Sequence, residues 1–191
     1  VEVIFGFLAN SLALLADAGH NLSDVLGLLL AWGASVLARK QPTQRHTYGL
    51  RRSSILAAMI NALILLVAVG GIAWESILRF GQPEAVASGT VILVASVGSI
   101  INGVTAWLFM SGRDQDLNIR GAYLHMMADA AISLGVVVAA VAMSITGWLW
   151  LDPLVSLAIG VVIGVTTWGL LRESLNLALD AVPTSIQAAE V

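Results

Sequence analysis

The chain has 191 residues, of which 58% are hydrophobic and 11% are charged, and its mean hydropathy is +0.90. Soluble domains carry about 25% charged residues, so this composition excludes an ordinary soluble protein and predicts a polytopic membrane protein with one helical domain in the lipid bilayer. The net charge of −3 gives no indication of nucleic-acid binding. Because the sequence contains no cysteine, a metal site here must use histidine and carboxylate ligands.

The apolar segments predict an all-α fold, a bundle of six transmembrane helices of which the first is incomplete. The predicted helices cover residues 3–9, 12–37, 54–78, 89–110, 118–145 and 154–179. Polar stretches that contain glycine or proline separate several of these helices. We assign residues 1–182 to the transmembrane domain, and we expect residues 183–191 to begin a cytoplasmic domain that continues past the sequence.

The positive charges predict the orientation of the bundle. Only Arg79 of the nine Lys and Arg residues lies on the side opposite the others. Cytoplasmic loops carry an excess of Lys and Arg, so the basic side and both chain ends are predicted to be cytoplasmic. The basic side carries Arg39, Lys40, Arg45, Arg51, Arg52, Arg113, Arg120 and Arg172.

Two of the predicted helices each carry a histidine and an aspartate four residues apart. His20 and Asp24 lie on the second helix, and His125 and Asp129 lie on the fifth. This spacing places both side chains of a pair on one helix face. Placing an aspartate in hydrocarbon costs about 2.5–3.5 kcal/mol, so such residues usually face a partner or a polar cavity. One such residue could equally serve packing or hydrogen bonding, but two pairs with identical spacing favour a shared tetrahedral metal site.

The donor set indicates which metal such a site takes. Two imidazoles and two carboxylates favour Zn²⁺, and they also suit Cd²⁺ or Co²⁺. Protons compete with a metal for these ligands, and imidazole is the only side chain whose unperturbed pKa lies between pH 5 and 8. Such a site would lie deep within the membrane spans, exchange metal for protons, and open to each side of the membrane in turn. These properties are typical of an antiporter whose transported substrate is the metal.

Two alternatives compete with the antiporter. An intramembrane metalloenzyme needs an open coordination position and usually a carboxylate base, yet the sequence has no HExxH motif and the four side chains are already used as ligands. We therefore expect no enzymatic activity. In the other alternative, the pairs lock two helices of a structural bundle or of an uncoupled metal channel, which passes metal without moving protons.

Two further polar residues receive weaker predictions. His46 lies in the basic loop without clear carboxylate neighbours, and we interpret it as a solvated loop residue. Asp17 precedes His20 by three residues and shares roughly its helix face. Asp17 could attract cations toward the site, but we favour a role as a cap near the start of the helix.

Four segments carry a resemblance to a known family. They are SLALLADAGHNLSDVLGLLLAWGA, RHTYGLRR, RGAYLHMMADAAISLGVVVAA, and DPLVSLAIG followed by LLRESLNLALDAVP. Together they resemble the zinc-transporting branch of the cation diffusion facilitator family, and the likeness covers essentially the whole chain. The resemblance implies six transmembrane helices, a homodimer, and export of Zn²⁺ from the cytoplasm in exchange for H⁺. It also implies that His20, Asp24, His125 and Asp129 are the transport ligands. Members normally continue into a cytoplasmic metal-binding domain, and some bind a second metal in the loop that holds His46.

Overall fold

The computed structural model describes residues 1–38 and 53–179, and these ranges contain six helices and no β-strand. The all-α prediction is confirmed, with helix boundaries that mostly move by one to three residues. The helices are α1 (Glu2–Leu8), α2 (Leu12–Ala38), α3 (Ser53–Gly81), α4 (Ser88–Phe109), α5 (Leu117–Thr146) and α6 (Leu151–Ala178). His46 and the predicted start of a cytoplasmic domain at residues 183–191 lie outside the described residues.

The helices α3, α4, α5 and α6 are each long and apolar enough to cross a membrane. Large apolar side chains are exposed along them, as at Leu93, Ile100 and Trp107 of α4. Several of the most completely buried side chains are instead polar. This arrangement, with apolar groups outward and polar groups inward, is stable only where lipid surrounds the helices, so the chain is an integral membrane protein. The buried polar residues include Ser11, Asp17, Ser76, Asp129, Ser133, Asp152 and Ser156.

One compact unit consists of Val1–Asn21 together with Ala68–Val162. Within it, α4 packs against α5 and also contacts α1. The Ser99 hydroxyl of α4 donates a hydrogen bond of 3.0 Å to the Ala130 carbonyl of α5. The small residue Gly98 lies where α1 approaches α4, and the carboxylate of Glu2 occupies the space that a Cβ atom would take at this position.

The described residues of the second compact unit are 22–38, 53–67 and 163–179. Here the later part of α2 and the first half of α3 are joined by polar contacts. The amide nitrogen of Asn61 donates to the Ser23 hydroxyl at 3.1 Å, and the Ser53 hydroxyl donates to the Ala34 carbonyl at 3.2 Å. Such bonds between helices stabilise packing where no water competes for the same groups.

The start of α6 differs from the sequence prediction. Pro153 was expected to separate the last two helices, with α6 beginning at residue 154, and this was wrong. The helix begins at Leu151 and includes Pro153 in its first turn. Proline is tolerated there because the first backbone N–H groups of a helix have no acceptor within the helix. The preceding helix ends at Gly147, whose φ of +70° suits glycine and whose N–H donates to the Met143 carbonyl.

The N-terminus of α2 is capped by residues from two parts of the chain. Ser11 accepts a hydrogen bond from the Leu14 N–H at 3.1 Å and donates one to Asp152 at 2.6 Å. Asp152, from the first turn of α6, also accepts the N–H groups of Leu12 and Ala13 at 2.7 and 3.3 Å. Three N–H groups at the start of a helix that would otherwise be unsatisfied in an apolar interior thus have acceptors.

Candidate metal site

His20 of α2 and Asp129 of α5 meet inside the first compact unit. The His20 Nε2 atom lies 3.3 Å from Asp129 Oδ1, and the two side chains are 16% and 3% exposed. Two ligands of a tetrahedral zinc ion with bonds of about 2.0 Å lie about 3.3 Å apart. The observed separation therefore equals that of two ligands on one ion.

His125 approaches the same carboxylate from the preceding turn of α5. Its Nε2 atom lies 3.6 Å from Asp129 Oδ2, and its side chain is 45% exposed. The rings of His20 and His125 are nearly perpendicular, with an interplanar angle of 81° and centroids 6.0 Å apart. One carboxylate thus lies between two imidazoles and presents a different oxygen to each.

Asp24 follows His20 by one turn on the same continuous helix. Asp24 therefore shares the helix face of His20. Within the first compact unit, His125 joins His20 at the site through its contact with Asp129. The helix spacing accounts for this geometry, because residues four apart project from one face about one turn apart.

The buried negative charge of Asp129 suits a cation. Asp129 is almost fully buried, and its carboxylate lies between the imidazoles of His20 and His125. An uncompensated charge in an interior of low polarity is unfavourable, and a bound cation would offset it. Nitrogen and oxygen donors together favour zinc or a neighbouring transition metal over an ion that prefers an all-oxygen site.

Comparison with known proteins identifies the family. Residues 1–177 match the family model described as the cation efflux transmembrane domain. The chain belongs to the cation efflux family. This agrees with the resemblance that the two HxxxD pairs carry, and the match covers all six helices almost completely.

Named relatives of this cation efflux chain are transport proteins. It is 41% identical to the zinc transporter ZitB of Escherichia coli and 38% identical to the cadmium, cobalt and zinc/H⁺-K⁺ antiporter of Bacillus subtilis. It is also 38% identical to the cation efflux system protein CzcD of an Alcaligenes species. Each alignment covers 100% of this chain and 60–62% of the relative. The chain therefore spans about three fifths of the length of the relatives it matches.

The cation efflux domain also contains polar residues near the site whose partners the sequence did not predict. Asp17 was predicted to cap α2, and this was wrong, because it lies inside the helix, fully buried, and accepts a hydrogen bond of 2.7 Å from Ser133. Asn21 donates to Glu2 at 3.1 Å. For Ser133 a signal was available, because it follows Asp129 by four residues, which places it on the helix face of a candidate ligand.

Replacing His20 by aspartate is expected to move metal preference in this cation efflux domain from zinc toward cadmium or manganese. The substitution removes a nitrogen donor and adds an anionic oxygen, which favours ions that prefer oxygen ligands. We expect the ratio of manganese to zinc uptake to rise by about tenfold, the lower end of the changes in affinity seen when even the partners of metal ligands are altered. Competitive uptake into membrane vesicles measures this ratio. An unchanged ratio would place metal selection at residues other than His20.

Proposed function

We propose that this protein exports a divalent metal cation from the cytoplasm in exchange for protons, with Zn²⁺ as the main substrate and Cd²⁺ or Co²⁺ also accepted. His20, Asp24, His125 and Asp129 act as the transport ligands. The observation that carries the proposal is the buried Asp129 carboxylate, which lies between two imidazoles from different helices. The names of the relatives, which include a zinc transporter and a cadmium, cobalt and zinc antiporter, support it.

Proton coupling follows from the chemistry of these ligands. A metal binds neutral imidazole and ionised carboxylate, so each proton that a ligand takes up removes a lone pair or a negative charge that the metal needs. A more acidic outer face therefore favours release of the metal, and a near-neutral cytoplasm favours reloading. If the site opens to the two faces of the membrane in turn, this competition between metal and protons for the same ligands produces antiport.

The remaining features of the proposal concern placement and assembly. We place the protein in the plasma membrane, with both chain ends on the cytoplasmic side because of the asymmetric Lys and Arg distribution. We further propose that it works as a homodimer, which the family resemblance implies. Enzymatic activity is not proposed, because all four candidate ligand side chains are assigned to the metal and none is assigned as a base for activated water.

The decisive experiment is reconstitution into lipid vesicles that contain one dye for zinc and one for pH. A zinc gradient imposed without a pH gradient should drive protons in the opposite direction, and His20→Ala or His125→Ala should weaken this coupling. Zinc flux without proton movement at any pH would contradict antiport and leave an uncoupled channel. Absence of zinc flux altogether would contradict the transport function.

A further inference from the structure

A second polar cluster lies one helical turn from the candidate metal ligands. We call Glu2, Asp17, Asn21 and Ser133 the Asp17 cluster. Asp17 and Ser133 each have 0% of their surface exposed, and the Ser133 hydroxyl donates to Asp17 Oδ2 at 2.7 Å. The other carboxylate oxygen of Asp17, Oδ1, is buried and has no hydrogen-bond partner among residues 1–38 and 53–179.

The two carboxylates of the cluster come from different helices, Asp17 from α2 and Glu2 from α1. Both lie near Ser133 of α5. Asn21 donates to one oxygen of Glu2 at 3.1 Å. The other Glu2 oxygen lies over Gly98 of α4, where a Cβ atom would collide with it, and the same Cβ position lies 3.7 Å from the Ser133 hydroxyl. The absence of a side chain at Gly98 thus makes room for this polar cluster between α1, α4 and α5.

The surroundings make an ionised Asp17 unfavourable. The charged and titratable groups near it are Glu2 from α1, His20 from α2 itself and Asp129 from α5. Two of these three are acidic, and the single hydrogen bond from Ser133 satisfies only one oxygen of Asp17. A buried charge without enough partners is neutralised by a proton or by a cation. Because Oδ1 has less than 1 Å² of exposed surface, the space beside it suits a proton and leaves no room for a hydrated ion.

We propose that Asp17 is a proton-binding site separate from the metal ligands, which holds a proton while the metal site is empty and releases it when the metal binds. The inference rests on the proposed transport function. Asp17 lies about 4.5 Å along α2 from His20, since each helical residue advances the axis by about 1.5 Å. A dication bound at the neighbouring ligands favours the ionised carboxylate, so the carboxylic acid becomes a carboxylate and one proton passes to solvent.

Asp17 differs from the proposed ligands because one of its carboxylate oxygens is already hydrogen-bonded. Its Oδ2 atom accepts a hydrogen bond from Ser133, and this bond joins α2 to α5 one helical turn from the contact between His20 and Asp129. In the proposed topology the Asp17 cluster lies on the side of the site away from the cytoplasm. A proton taken up there when the metal leaves would remove one negative charge from the interior before the empty site opens to the cytoplasm.

The test compares the wild type with Asp17→Asn, which keeps the size of the side chain and an oxygen that can accept from Ser133 but cannot titrate. Zinc is added to purified protein in weakly buffered detergent solution, and the released protons are counted with a pH dye. We expect Asp17→Asn to bind zinc and to release about one proton fewer per zinc than the wild type does. The matched control is Asp116→Asn, the same chemical change at the N-cap of α5, where asparagine also caps well. This control should release as many protons as the wild type.

A spectroscopic measurement keeps the proposal testable if Asp17→Asn fails to fold. In infrared difference spectra, adding zinc to the wild type should remove the carbonyl band of a protonated carboxylic acid. Ser133→Ala keeps Asp17 but removes the hydroxyl that bonds to it, so it should shift the frequency of that band. Equal proton release from wild type and Asp17→Asn, or no such band in the zinc-free wild type, would overturn the proposal. Failure of the transport function is distinguishable, because reconstituted wild-type protein would then show no zinc flux.

Discussion

Replacing Asp129 by asparagine is expected to abolish zinc transport while leaving the helical domain folded. The carboxylate lies 3.3 Å from the His20 imidazole and 3.6 Å from the His125 imidazole, so it is the group through which both histidines are joined. An amide has nearly the same shape but lacks the negative charge that a dication needs. Loss of partners outside the ligand shell already lowers metal affinity by about 10–100-fold, so loss of a ligand should lower zinc affinity by about 100-fold or more.

The measurements for Asp129→Asn are zinc uptake into vesicles, zinc binding to purified protein, and thermal unfolding in detergent. Folding should persist because the substitution removes a buried charge instead of adding one. Asp116→Asn provides the control, since it makes the same change on the same helix at an exposed cap. Loss of expression and of thermal stability together with transport would show that Asp129 holds the bundle together and is not primarily a ligand.

Replacing Asp152 by alanine is expected to cause a large loss of stability. The carboxylate accepts hydrogen bonds from the Ser11 hydroxyl and from the N–H groups of Leu12 and Ala13, and its side chain is nearly completely buried. A hydrogen bond to a charged group contributes about 1.5–3 kcal/mol, and removing the acceptor leaves buried donors unsatisfied. Removal of the buried charge offsets part of this, so we expect the free energy of unfolding to fall by about 3 kcal/mol.

Thermal unfolding of purified protein in detergent measures the effect of Asp152→Ala. The matched control is Asp114→Ala, which removes a carboxylate whose side chain is 86% exposed and whose ion pair with Arg113 is long, at 3.7 Å. Surface pairs of this kind contribute little, so the control should unfold close to the wild-type temperature. Equal melting temperatures for Asp152→Ala and wild type would show that water or lipid groups replace the lost acceptor.

The helices and the spacing of polar residues along each helix could be predicted from the sequence. The apolar segments predicted the six helices of residues 1–38 and 53–179, because apolar segments that lie in a membrane must be helical whatever they pack against. The two HxxxD spacings predicted His20, Asp24, His125 and Asp129 as ligands, because helix geometry alone places residues four apart on one face. That His20 and Asp129 meet across two helices was a reasonable hypothesis from the cost of isolated buried charges.

The partners of Asp17 and Asp152 were decided only by the tertiary structure. The sequence suggested only local roles for both residues. Asp17 was predicted to cap its own helix, and Asp152 lay in the predicted turn between the last two helices. The fold instead pairs Asp17 with Ser133 and Asp152 with Ser11, residues separated from them by 116 and 141 positions. Helix periodicity determines which face of its own helix a residue occupies, but it carries no information about which distant helix lies against that face. In an apolar interior, where a buried polar group without a partner is costly, that packing determines the role of each carboxylate.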